Sequence, residues 1–251
     1  MPRARFSILT MLVLVALVAV GLAIYRQWVA WPAAEAEYKA LIQSDPSPKQ
    51  VVRLKSLVQQ YPILAKTHGS MHYAVGTGDA SFCRLLAERG AAINESLHAK
   101  WNKPFFHAIV GGHPDVVQTL IDFGVDPSTG DSLDDWEYPC SLPLHLVVWR
   151  KDVDVGRVLV ESGADINAKS EADESPLELA IRIGDPDMAQ LLLEHGAVVD
   201  FGKQTFDKFC DAIRKTSYSG PNSEQRVEEI CELLQAYRPQ LEAAQTEGAK
   251  P

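Results

Sequence analysis

Ser175-Pro-Leu-Glu-Leu-Ala-Ile-Arg-Ile-Gly184, followed by Asp185-Pro-Asp-Met-Ala-Gln-Leu-Leu-Leu-Glu-His195-Gly196-Ala-Val-Val-Asp200, encodes two short helices and both of their ends. Ser175 stands at an N-cap, Pro176 at the first helical position and Glu178 three residues on, which is a capping box with a pre-set first turn. Asp185-Pro186 repeats the device for a second helix. Met188, Leu191 and Leu192 then recur at helical spacing. His195 falls in a last turn that favours a cation, and Gly196 stops the helix where the backbone must turn left-handed.

The closing phrase occurs four times, at Gly90, Gly124, Gly163 and Gly196, with spacings of 34, 39 and 33 residues. A period in this range is the mark of a stacked repeat, which offers a surface rather than a closed catalytic pocket. Twelve residues before each phrase lie Gly78, Gly112, Lys151 and Gly184, the turns between paired helices. The unit openings are Gly69-Ser-Met-His, Lys103-Pro-Phe-Phe-His, Leu142-Pro-Leu-His and Ser175-Pro-Leu-Glu. Apolar residues recur on the second helices at Phe82, Leu85 and Leu86, at Val116, Val117, Leu120 and Ile121, and at Val155, Val158 and Leu159. A degenerate fifth unit is expected around Phe209-Cys-Asp-Ala-Ile213 and Ile230-Cys-Glu-Leu-Leu234. Ser47-Pro-Lys-Gln50 reads as another capping box, opening a helix through about Gln60 that caps the stack on its N-terminal side.

Leu142-Pro-Leu-His-Leu and Gly163-Ala-Asp-Ile-Asn-Ala resemble the ankyrin repeat, and the likeness covers about residues 65–200. The departures are Ser70-Met71 for the usual Pro-Leu, Phe106 for the usual His, and Lys151 for the inter-helix Gly. The resemblance implies an all-α solenoid with four recognisable units, no enzymatic activity, and a protein partner held on the turn fingers and the exposed face of the first helices. By position it points to Lys100, Trp101 and Asn102, to Tyr138, and to Glu171 and Glu174 on the fingers. On the first helices it points to Trp149 with Arg150, to Arg182, and to Arg214 with Lys215. Arg150, Arg182 and Arg214 are expected at neighbouring points of one concave strip, suited to a partner with an acidic surface. The other reading of these cations is an ordinary solvated helix surface.

The 251 residues carry a formal charge of −9, which argues against a general nucleic-acid binder. Residues 6–25 form an uncharged run of 20, about 30 Å as a helix, enough to span a bilayer. Arg3 and Arg5 precede it; Arg26 follows, then Trp28, Trp31 and Tyr38, which suit a membrane interface. The expected layout is a cytoplasmic tail (1–5), a transmembrane helix (6–25), an Ala-rich, partly helical juxtamembrane spacer (26–46), the repeat domain (47–238) on the outer side, and a disordered polar tail (239–251). Its rival is a cleaved signal peptide that releases a soluble inhibitor or immunity-type factor.

No cofactor, metal or small-molecule substrate is expected. Gly69 follows His68 where a hydrolytic zinc motif needs Glu, and no nucleophile elbow, phosphate loop or dinucleotide fingerprint occurs. The acidic insertion around Asp131, Asp134, Asp135, Trp136 and Glu137 lacks the spacing of a calcium loop. Cys83, Cys140, Cys210 and Cys231 include no Cys-x-x-Cys pair. Cys210 and Cys231 fall on the two helices of one unit, where buried free thiols and a facing pair are both open.

Overall fold

The computed structural model describes residues 8–26, 30–94, 103–130, 142–201, 205–215 and 223–248. Among them all regular structure is helical. After α1 (Ile8–Tyr25) come α2 (Trp31–Ile42), α3 (Pro48–Gln60) and a 3-10 turn at Pro62–Lys66. Five helix pairs follow: α4 (Ser70–Gly76) with α5 (Ala80–Glu88), α6 (Pro104–Gly111) with α7 (Pro114–Asp122), α8 (Pro143–Arg150) with α9 (Val153–Glu161), α10 (Pro176–Ile183) with α11 (Pro186–Glu194), and α12 (Phe206–Arg214) with α13 (Ser223–Ala236). The chain continues into α14 (Arg238–Gly248).

The helices from α4 to α12 have 7 to 9 residues each, too short to be stable alone, so packing must hold them. The first helices pack in sequence α4, α6, α8, α10. The second helices form a parallel row from α3 through α5, α7, α9 and α11 to α13. Their apolar faces fuse into one core in which Phe82, Leu86, Val116, Leu120, Val155, Leu159, Met188 and Leu192 are fully buried. Each such side chain contributes about 1.5–3 kcal/mol on burial. Leu85, Ile121 and Val158 flank this core half-buried.

The predicted ends are present. Ser175 and Glu178 form the reciprocal capping box, and Asp79, Asp152 and Asp185 accept the N–H of Phe82, Val155 and Met188 at 3.0–3.2 Å. The unit-closing glycines at 90, 124, 163 and 196 all have φ between 78° and 96°. Ser47 accepts the Gln50 N–H at 3.4 Å, while the Gln50 side-chain oxygen meets the Ser47 hydroxyl rather than its backbone, so this cap is not the reciprocal box.

The two flanks are more tightly built into the domain than expected. Most of the stretch read as a spacer is α2, which docks on α3 through Ala34 and a fully buried Tyr38. Trp31 packs edge-on against Tyr61, with ring centroids 5.8 Å apart. Tyr38 therefore serves the domain core and not a membrane interface; Trp28 lies outside the described residues. At the other end the polar tail forms α14, because Leu241 finds a buried seat, 1% exposed. Among the described residues no helix is long and apolar enough to cross a membrane. The 18 residues of α1 rise about 27 Å, slightly under a bilayer's apolar thickness of about 30 Å. Phe6 and Ser7, the start of the uncharged run, lie outside the described residues.

Candidate interaction surface

Of the expected finger residues, Lys100, Trp101, Asn102 and Tyr138 lie outside the described residues, as does the acidic segment 131–137. The finger between the third and fourth units is described in full. Ser170 N–H donates to the Glu174 carbonyl (3.0 Å), Asp173 N–H donates to the Ser170 carbonyl (2.9 Å), and Asp173 takes a left-handed φ of 57°. Glu171 is exposed at its tip.

His145, at the start of α8, holds this finger from behind. Its Nε2 lies 2.8 Å from the Glu174 carbonyl, an acceptor, so Nε2 carries the proton. Burial pushes the His145 pKa below its ordinary value, against the opposing pull of the Glu174 carbonyl. The neutral ring is thus the form built into the joint between units. Loop-to-loop bonds repeat along the stack: Asp165 N–H donates to Ser128 Oγ (2.9 Å), and Val198 N–H donates to Asn167 Oδ1 (2.9 Å). At the family's usual His position in the second unit, Phe106 is buried and edge-on to Phe105.

The arginine strip is only partly assembled. Lys151 and Gly184 both occupy the left-handed C-cap of their first helices, with φ of 58° and 66°. Counting back from these caps aligns Trp149 with Arg182, and Arg150 with Ile183. The two arginines therefore sit one residue, about 100°, out of register. Arg182 forms a bidentate pair with Glu174 (2.6 and 2.9 Å). Arg214 faces Glu228 (3.3 Å through two nitrogens) and Asp211 (3.5 Å), and the Glu228 hydrogen bond raises its pKa. Both cations already have carboxylate neighbours in the chain. Trp149, 39% exposed, is the one large hydrophobic side chain of the described helix pairs that stands open to solvent. Lys215 is exposed at the end of α12.

The two larger of the grooves among the described residues lie away from this face. One, about 560 Å³, runs along α5 between α3 and α7 and is lined by Lys55, Arg84, Glu88, Asp115 and Gln118 among others. Its two cations are engaged: Lys55 Nζ lies 2.6 Å from Asp79, and Arg84 lies 3.1 Å from Asp122. The other, about 510 Å³, lies between α2 and the 3-10 turn. No sequence motif marks either groove, since each arises only when separate helices are brought side by side. Among the described residues no group of three or more His, Cys, Asp or Glu side chains is arranged to hold a metal ion.

A sequence model of the family described as ankyrin repeats (many copies) matches residues 144–193. The chain is 28% identical over 152 residues to an ankyrin repeat and KH domain-containing protein of Caenorhabditis briggsae, covering 60% of this chain and 6% of that protein. It is 32% identical over 111 residues to the B-cell lymphoma 3 protein homolog of Mus musculus, covering 44% and 23%. It is 35% identical over 85 residues to protein fem-1 homolog C of Homo sapiens, covering 28% and 14%. The chain thus spans well under a third of the length of these relatives. Paired short helices and left-handed unit ends agree with these likenesses: residues 144–193 match the ankyrin-repeat family, and the units on either side are built in the same way.

Proposed function

We propose that this chain is a non-enzymatic module that captures a protein partner on the open face of its first helices and is held at a membrane by α1. Ankyrin repeats bind protein partners, and a preformed stack does so with little ordering cost. The observation that carries the choice of face is Trp149. It is an exposed aromatic at the end of α8, followed at once by exposed Arg150 and Lys151 and aligned with Arg182 on the next unit. An aromatic anchor ringed by cations suits a partner whose contact patch is acidic around an apolar centre. Lys100, Trp101, Asn102 and Tyr138 would extend this face along the fingers, with Arg214 and Lys215 at its far end.

The membrane part of the reading rests on α1. Met11, Val13, Leu14, Val15, Leu17, Val18, Val20 and Leu22 are each more than half exposed, and an isolated helix with that surface is not stable in water. With Phe6 and Ser7 the uncharged run reaches bilayer length, and Arg3 and Arg5 favour an inside N-terminus with the repeats outside.

The test has two arms. Trp149→Ala with Arg150→Glu is expected to weaken partner capture in a crosslinking pull-down from intact cells by tenfold or more, with an unchanged helical circular-dichroism spectrum. Arg214→Glu should matter less. Capture that survives the double change would remove the proposed face. In parallel, alkaline extraction of membranes and the mass of the mature N-terminus read the anchor. Retention with residues 1–25 intact supports it; a soluble product cut near Ala23 would instead favour the released inhibitor.

A further inference from the structure

Cys210 and Cys231 are 1% and 0% exposed, and they meet where α12 packs on α13. The Cys231 thiol points at the Cys210 carbonyl, with Sγ 3.9 Å from the oxygen. Both are free thiols. Cys210 is the fifth residue of α12, as Ala180 is of α10, and by sequence Cys231 matches Ala189 of α11. Ala180 and Ala189 are 0% and 1% exposed. Two buried alanines that line the core of one helix pair are therefore replaced in the next by two cysteines. Cys83 is equally buried on α5 but has no thiol partner across its unit.

The last pair also lacks the two end devices of α10, the Ser175 cap and the left-handed Gly184. Thr205 makes no side-chain cap to α12, and α12 ends at Lys215 in ordinary right-handed backbone. Among the described residues the row of first helices from α4 to α10 does not continue to α12 with comparable packing, so α13 is its main support.

We propose that Cys210 and Cys231 are a disulfide site that staples the terminal helix pair in an oxidising compartment. The inference stands apart from the partner face; the oxidising compartment rests on the outward placement proposed above, while the pairing of the thiols does not. The oxidant is a low-molecular-weight disulfide such as glutathione disulfide. One cysteine thiolate attacks it, forming a mixed disulfide and releasing one thiolate. The second cysteine thiolate then displaces the other half, so that one S–S bond joins the helices and the two cysteine protons end on the two released thiols. Burial, reinforced by the neighbouring thiol, pushes the Cys210 pKa up to about 11, so little thiolate exists in the closed unit at neutral pH. Oxidation therefore proceeds through local opening of the pair, and the closed bond then resists reduction. The cross-link spans residues 21 apart, long enough to restrict the unfolded chain substantially.

The full-length wild-type protein is incubated with glutathione disulfide in urea just below its unfolding transition, returned to buffer, alkylated and digested with trypsin without reductant. The expected products are one linked peptide pair containing Cys210 and Cys231, two hydrogens lighter than the separate thiols, and an unfolding midpoint raised by roughly 5 °C that dithiothreitol reverses. Full alkylation of both cysteines, a link to Cys83 or Cys140, or a link between two chains would each overturn the assignment.

Discussion

Two residues that close turns carry opposite backbone costs. Lys151 has φ of 58° where the sister turns use Gly112 and Gly184, both at 66°. A side chain in that region costs about 1 kcal/mol, and the one exposed bond that Lys151 Nζ gains, to the Ile183 carbonyl at 3.3 Å, offsets little of it. Lys151→Gly is therefore expected to raise the unfolding midpoint by a few degrees. Gly163 has φ of 86°, and a Cβ there meets nothing within 4 Å. Gly163→Val then reports backbone strain with no steric term, and should destabilise the stack by about 1–2 kcal/mol. Matched denaturant melts of the two variants decide the point. A neutral Gly163→Val would mean that the left-handed end is not needed.

At the scale of elements, α14 separates what composition suggests from what packing permits. Residues 239–251 read as a polar tail, yet Leu241 is buried and Arg238 lies over the Phe206 ring at 5.0 Å while pairing with Asp207 at 2.9 Å. A chain ending at Pro239 forfeits the Leu241 burial, about 2 kcal/mol, and should melt roughly 5 °C lower. A dispensable tail would leave the melt unchanged. The same contrast explains which elements were legible. Ser175, Asp185 and the unit-closing glycines announce their helices because cap and stop chemistry is local, encoded within four residues. Tyr38 and Leu241 announce nothing, because a single apolar residue among polar ones becomes core only when a helix distant in sequence supplies the seat. The register of the arginines was not legible for a related reason. Equal spacing of Arg150, Arg182 and Arg214 in the chain ignores the cap positions that set helix phase, and Arg182 and Arg214 meet Glu174 and Glu228 from neighbouring elements.

Across the whole molecule, among the described residues, each helix pair packs chiefly on its neighbours in the row, so a local cost should spread by contact and fade with distance. Gly163 lies between α9 and the finger that leads to α10. If the stack behaves as a chain of coupled units, Gly163→Val should speed amide exchange most in α8 through α11 and leave α3 through α5 near wild-type protection. The α2–α3 end is well placed to hold its ground, since Tyr38, Leu54, Leu57 and Val58 close it with their own apolar contacts. Uniform loss of protection along the chain would instead describe one cooperative block, in which a partner seated around Trp149 would stiffen both ends equally. Graded exchange would confine that stiffening to the third and fourth units, and hydrogen exchange on the partner-bound protein reads the difference directly.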